Sequence, residues 1–260
     1  MRVAVMRPRD RLLKSADIAR ELGLEPICAS PVEIVINDSH SFTRFIESAS
    51  EGKVDAVAFT SASGVEAAME LAQARGRGDE MLEILRSIDV LVIGLHTRAP
   101  LVSEGVEVAI MPDEFSSEGM VRDIPRDMIK GRRIWILRSD MGSKILPKGL
   151  RESGGLVEEV AVYHLRKNLD GNDVIALLDK GNSGGIDGFA FTSSLSAKTI
   201  LEAGRRRLGK EAAMEMMKNA VVGAIGNPTR KALEEEGVRV DTVPRAADFR
   251  LLLMSMRELI

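Results

Sequence analysis

Two short sequences end an apolar run with hydroxyl groups: Phe59-Thr60-Ser61, continued by ASGVEAA, and Phe191-Thr192-Ser193, continued by SLSAKTI. At a strand-to-helix turn, a side-chain hydroxyl and free backbone N–H groups can receive a carboxylate or phosphate, helped by the positive end of the helix dipole. The same residues serve equally as ordinary N-caps, and it is their recurrence that favours a ligand. Ser63 lies two residues into the first of these helices. A second pair of turns, Gly94 to Thr97 and Gly226 to Thr229, sets a glycine that permits close approach ahead of a threonine able to donate to an anionic oxygen.

Charged and phenolic groups join these turns. Arg7, Arg9, Arg138 and Lys144 follow expected strands, where each is either a solvated loop cation or a carboxylate ligand. Arg98 and Arg230 fall in first helical turns, against the local dipole, a misfit that a ligand would relieve. Tyr163 is the chain's single tyrosine and follows EEVAV. A phenol there can donate a proton to a departing hydroxyl or hold an interface by a hydrogen bond, and both roles stay open.

Other chemistries lack their residues. GLHTRA and GNPTRK miss the glycine spacing of a dinucleotide fingerprint, and no GxxxxGK(S/T) loop occurs, so no nucleotide cofactor is expected. His40, His96 and His164 stand far apart without partners at metal-ligand spacing, and no metal is expected either. The lone Cys28 excludes a disulfide framework and suits a buried thiol in a reducing compartment. With 39 acidic against 36 basic side chains and 3% aromatics, neither a positive field nor a stacking surface exists for nucleic acid. MRVAVMRPRD lacks the apolar core of a signal peptide and no 18-residue apolar stretch occurs, so a cytoplasmic chain without a membrane partner is expected. Glu158 and Glu159 would point to opposite faces of a strand, which makes them poor acid–base partners.

The elements that must carry these residues alternate. Strands are expected at residues 3–6, 26–36, 53–59, 88–93, 106–111, 133–137, 156–163, 188–191, 221–225 and 238–243. Helices are expected around Leu12–Leu22, Phe42–Ser48, from the first FTS turn to Ala74, and over 97–104, 145–152, 174–178, 195–203 and 229–236. Short strands alternating with helices argue a parallel sheet covered on both faces.

The pattern also repeats. Phe59 and Phe191 are 132 residues apart, as are Ile93 and Ile225, and Thr97, Arg98, Leu101, Gly105 and Pro112 meet Thr229, Arg230, Leu233, Gly237 and Pro244 without a gap. VAVMRPRD at the start resembles IWILRSD, which aligns Arg7 with Arg138, and Gly23 aligns with Gly155 at the same offset of 132. Two α/β domains made of four related βα segments follow, with a functional surface expected where the domains face each other. Whether the domains are consecutive or exchange their first βαβ segments is left open by the duplication itself.

Taken in order, MRPRD, AFTSASGVEA, VIGLHTRAPLVSEG, LRSDMGSKIL, EEVAVYH, FTSSLSA and AIGNPTRKALEEEGVRV resemble the uroporphyrinogen-III synthase family over nearly the whole chain. The resemblance implies two flavodoxin-like parallel-sheet domains with exchanged N-terminal segments: residues 1–33 with 167–260, an inserted domain at 38–162, and connectors at 34–37 and 163–166. It implies a lyase that cyclises hydroxymethylbilane with inversion of ring D and loss of water, without cofactor or metal. Tyr163 matches the family's tyrosine and is expected to assist catalysis. Arg7, Thr60, Ser61, Ser63, Thr97, Arg138, Lys144, Thr192, Ser193 and Thr229 are expected to hold substrate. A monomer is expected, with transient contact to the preceding pathway enzyme. The opposing reading is a cytoplasmic noncatalytic binding protein for a small anion, since two hinged α/β domains also suit ligand closure.

Overall fold

Runs such as AVAF at residues 56–59 and GFAF at 188–191 are apolar at every position, which suits a strand covered on both faces, and both are fully buried. They lie in a computed structural model that describes residues 1–259. The first stretch of chain forms β1 (Arg2–Met6), α1 (Arg9–Glu21), β2 (Glu25–Ala29), β3 (Val32–Ile36) and α2 (His40–Ser50). There follow β4 (Ala56–Phe59), α3 (Ala62–Ala74), α4 (Gly78–Ser87), β5 (Asp89–Val92), α5 (Leu95–Ser103) and α6 (Ser117–Asp123). The second half contributes β6 (Arg133–Ser139), α7 (Ile145–Glu152), β7 (Leu156–Lys167), α8 (Asn172–Asn182) and β8 (Gly188–Phe191). It closes with α9 (Ser194–Leu208), α10 (Lys210–Lys218), β9 (Val221–Ala224), α11 (Asn227–Glu235) and α12 (Phe249–Arg257).

Two sheets result, ordered β2-β1-β8-β9 and β3-β7-β6-β4-β5. They belong to two compact units, Met1–Ile34 with Arg166–Ile260, and Val35–Leu165. The opening βαβ of the first half therefore pairs with strands of the second half: Val3 faces Gly188, as Ile134 faces Ala56. This is the segment exchange, seen as strand register. β3 runs antiparallel to β7, since Asn37 N donates to Val162 O and Asn168 N to Pro31 O.

Each sheet has its own core. In the first unit Phe189, Phe191, Leu177, Ile200 and Leu233 pack on one face, and Val3, Val5, Leu252 and Met256 on the other. In the second, Ile134, Ile136, Met120, Leu146 and Leu150 form one such cluster. The duplication reaches further than its sequence motifs, because Ser116 accepts from Gly119 N to open α6 as Asp248 accepts from Leu251 N to open α12.

Several expected boundaries change. Residues 106–111 and 238–243 are not strands; each makes a single bridge, Leu91 with Ile110 and Gly223 with Thr242, shortly before Pro112 and Pro244, which lack the N–H a ladder needs. Residues 26–36 split at Ser30-Pro31 into β2 and β3, which enter different sheets. Residues 163–166 lie within the 12-residue β7. Helices α4, α6, α10 and α12 have no counterpart among the helices expected from the sequence pattern. Strand pairing also corrects one alignment: β1 matches β6 at an offset of 131, so Gly23 (φ 76°) corresponds to Gly154 (φ 88°) rather than to Gly155.

Candidate functional site

In the second unit β6 and β4 are neighbours, yet α7 carries the chain outward from β6 to β7 and α3 carries it outward from β4 to β5. An open α/β sheet collects ligands beyond the carboxyl ends of such a strand pair. The expected residues Thr60 and Ser61 leave β4 there, the loop from Asp140 to Lys144 leaves β6, and Tyr163 lies on β7 beside Ser139.

Ser61 is the N-cap of α3 and accepts from Gly64 N at 3.1 Å. Its Oγ also lies 3.1 Å from the Tyr163 hydroxyl. Tyr163 is only 6% exposed, so this hydroxyl pair is held in place by packing as well as by its hydrogen bond. The pairing of β6 with β7 shifts register between Arg138 and Ser139, and Asp140 N then donates to Tyr163 O at 3.3 Å. His164 Nδ1 meets Asp140 Oδ2 at 2.9 Å, a second tie between the loop and β7. The sequence sets His164 aside as a metal ligand and does not single out Asp140, because an Asp and a His 24 residues apart have no local signal of contact.

The remaining expected residues of this unit divide. Arg138 was expected in a loop facing substrate; it is instead on β6 and 3% exposed, donating to Ser143 O and paired with Glu159. Its guanidinium is committed to the protein, and it anchors the loop that follows. Lys144 is exposed, 4.0 Å from the same Glu159. Thr97 is buried and its hydroxyl donates back to Ile93 O at 3.4 Å, the four-residue back-bond common for threonines in helices. Ser63, on the first turn of α3, is half-buried.

The first unit repeats the arrangement with different chemistry. Ser193 caps α9, accepting from Ser196 N at 3.1 Å, and Thr192 donates to Met6 O at 3.0 Å, tying the β8 turn to the end of β1. Arg7 follows β1 at this junction, half-buried. Thr229 is buried in the first turn of α11. Its turn differs from its counterpart: Gly94 has φ 95°, a conformation that favours glycine, whereas Gly226 has φ −174° and Pro228 follows inside the helix. Two concavities of this unit, both lined by Asp187 and Asn219, lie at the opposite, amino-terminal ends of the strands.

Among the described residues no group of three or more His, Cys, Asp or Glu side chains is placed to hold a metal ion. Among the same described residues, no helix is long and apolar enough to cross a membrane.

A family model described as uroporphyrinogen-III synthase HemD matches residues 14–253. The chain belongs to the uroporphyrinogen-III synthase family. It is 29% identical over 244 residues to a putative uroporphyrinogen-III synthase of Methanothermobacter thermautotrophicus, covering 94% of this chain and 92% of that one. It is 29% identical over 168 residues to the uroporphyrinogen-III synthase of Chlorobaculum parvum, covering 64% and 65% of the two chains. Among solved structures, a mutant uroporphyrinogen III synthase from Thermus thermophilus superposes with a TM-score of 0.68 at 19% identity, covering 99% and 98% of the chains. The Helicobacter pylori uroporphyrinogen-III synthetase gives 0.65 at 19% identity, covering 90% and 92%. These two likenesses establish that the fold is that of the uroporphyrinogen-III synthases.

Proposed function

We propose that this chain closes hydroxymethylbilane to the asymmetric tetrapyrrole uroporphyrinogen III, inverting ring D and releasing water. The observation that carries the reading, within a uroporphyrinogen-III synthase family member, is the Tyr163–Ser61 hydroxyl pair at 3.1 Å, beside the carboxyl ends of β6 and β4. A phenol in that position supplies a proton to the departing hydroxyl, and the serine hydroxyl orients it.

Loss of hydroxide as water leaves an electrophilic azafulvene on the linear tetrapyrrole. Attack through the substituted carbon of the last pyrrole gives a spiro intermediate, which fragments and recloses with that ring inverted. The pyrroles supply the electrons for every bond that forms, so the protein's task is to fold the chain, favour attack at the substituted carbon and assist departure of the hydroxyl. The capped helix starts at Ser61 and Ser193, the glycine–threonine turns and basic side chains hold acetate and propionate arms. An anionic substrate suits these groups because hydrogen bonds from backbone N–H and cations to carboxylates are the stronger, charge-assisted kind.

Purified protein incubated with fresh hydroxymethylbilane, without metal or nucleotide, is expected to give predominantly the type III isomer after oxidation and separation. Type I product alone, formed at the spontaneous rate by folded protein, would sink the synthase reading and leave an anion-binding module.

A further inference from the structure

The two sheets carry the same arginine in two electrostatic settings. Val5 on β1 pairs with Cys28 on β2 as Ile136 on β6 pairs with Glu159 on β7. Arg7 and Arg138 each stand two residues beyond that pair and so share its strand face. In the second unit Glu159 neutralises Arg138. In the first unit the position of that glutamate is held by Cys28, whose thiol burial pushes further toward the neutral form. Arg7 thus lacks the acid that its counterpart keeps.

Among the described residues, no other carboxylate forms an ion pair with Arg7. Among the same residues, the buried Arg7 Nε has no hydrogen-bond partner. Asp10, the nearby carboxylate, lies 3.4 Å from Arg11 and only partly offsets the depression of the Arg7 pKa caused first by burial and then by Arg11. The guanidinium instead covers the Phe249 ring, 5.4 Å from its centroid. A ring face packs against a cation and attracts it, but it leaves the N–H donors unfilled. Half-burying a cation without a counter-charge costs stability, and such a cost is retained where the group has a partner to meet. The position is apt, since Arg7 leaves β1 beside β8, the neighbouring strands from which α1 and α9 lead outward in opposite directions, where ligands of open sheets collect.

We propose that Arg7 is a carboxylate-binding residue of the first unit and that the equivalent position in the second unit is closed to anions by the Arg138–Glu159 pair. This rests on the synthase reading for its ligand, one acetate or propionate arm of the linear tetrapyrrole. The identity of residue 28 sets which arginine is available: an acid there would occupy Arg7 as Glu159 occupies Arg138.

The test has two independent readouts. The Arg7 Nε–H signal of isotope-labelled protein, assigned by its loss in Arg7→Gln, is followed as succinate is added; it is expected to shift. In turnover of hydroxymethylbilane, Arg7→Gln is expected to raise KM about tenfold with kcat within about twofold, the size of one lost charged hydrogen bond. Arg7→Lys should recover part of that loss, and Cys28→Glu should reproduce it while abolishing the succinate response. An unmoved Arg7 signal together with wild-type KM in Arg7→Gln overturns the assignment and leaves the synthase reading standing. A succinate response from wild-type protein that forms no type III product sinks the synthase reading and leaves the anion site in place.

Discussion

The Tyr163 hydroxyl shares Ser61 Oγ with the backbone N–H of Gly64, so one serine both starts α3 and fixes the phenol. Helix capping and phenol placement are therefore not separable at this position. Tyr163→Phe keeps the ring in its buried place and removes only the oxygen. The expected outcome is a fall of about a hundredfold in enzyme-dependent type III formation with an unchanged thermal midpoint. An unaltered isomer ratio and rate would show that the phenol has no part in the departure of hydroxide.

Ser61→Ala and Ser193→Ala form a matched pair, because both serines cap helices with nearly the same backbone, φ −158° and −159°. Each substitution is expected to cost about 1 kcal/mol in urea unfolding through the lost cap. Their kinetics should differ. Ser61→Ala also frees the phenol and should lower kcat, whereas Ser193→Ala removes a group without a tyrosine partner and should act on KM.

How far these residues were legible depends on the range of the interactions that place them. The FTS turns were readable because capping is local: a serine, an N–H three residues on, and an apolar run before it. The fate of Arg138 was not, since its partner Glu159 is on the next strand and pairing across a sheet leaves no trace in spacing. The IG turns looked alike in sequence and differ in backbone, because Pro228 fixes the start of α11 and the first turn of α5 has no proline. Helix α12 was within reach: the repeat that aligns Phe59 with Phe191 also aligns the caps Ser116 and Asp248, but a serine and an aspartate share function rather than letters.

Arg138→Met tests the committed guanidinium. It leaves Glu159 with Arg151 at 3.3 Å and Lys144 at 4.0 Å, both largely exposed, and releases Ser143 O. Removing one partner of a buried pair costs about 3 kcal/mol, the lower end of the range because Glu159 is partly exposed. Denaturant titration should show this loss, and Glu159→Gln should be equally destabilising, since it strands the buried guanidinium.

Acid stability should carry the signature of Asp55. Its carboxylate accepts from the Arg133 guanidinium, through Nη2 at 2.7 Å and Nε at 2.9 Å, and from Arg133 N at 2.7 Å, and these bonds, the side-chain ones foremost, hold its pKa at about 2 against an ordinary 3.8. A depressed carboxylate pKa contributes stability that is complete above the unfolded value and is lost as pH falls from about 4 toward 2. Screened by solvent, the contribution is on the order of 1 kcal/mol. Asp55→Asn should lower stability at neutral pH by about that amount and flatten the decline in that acid window, as measured by urea midpoints at a series of pH values.

The two IG turns predict opposite tolerance to the same substitution. Gly94 combines φ 95° with ψ 168°, a region open essentially to glycine, and a Cβ there would come within 3.2 Å of the Phe115 ring. Gly226 is extended, at φ −174°, and the nearest atom to a Cβ would be Pro228 Cδ at 3.9 Å. Gly94→Ala is expected to cost about 2 kcal/mol, from backbone strain with some displacement of the ring. Gly226→Ala should leave the unfolding midpoint nearly unchanged, because any residue adopts an extended backbone and the added methyl meets only ordinary contact. Equal losses in the two variants would mean that both turns need glycine for their backbone. A lower midpoint in Gly94→Ala alone would mean that the duplicated motif has diverged in conformation while keeping its letters.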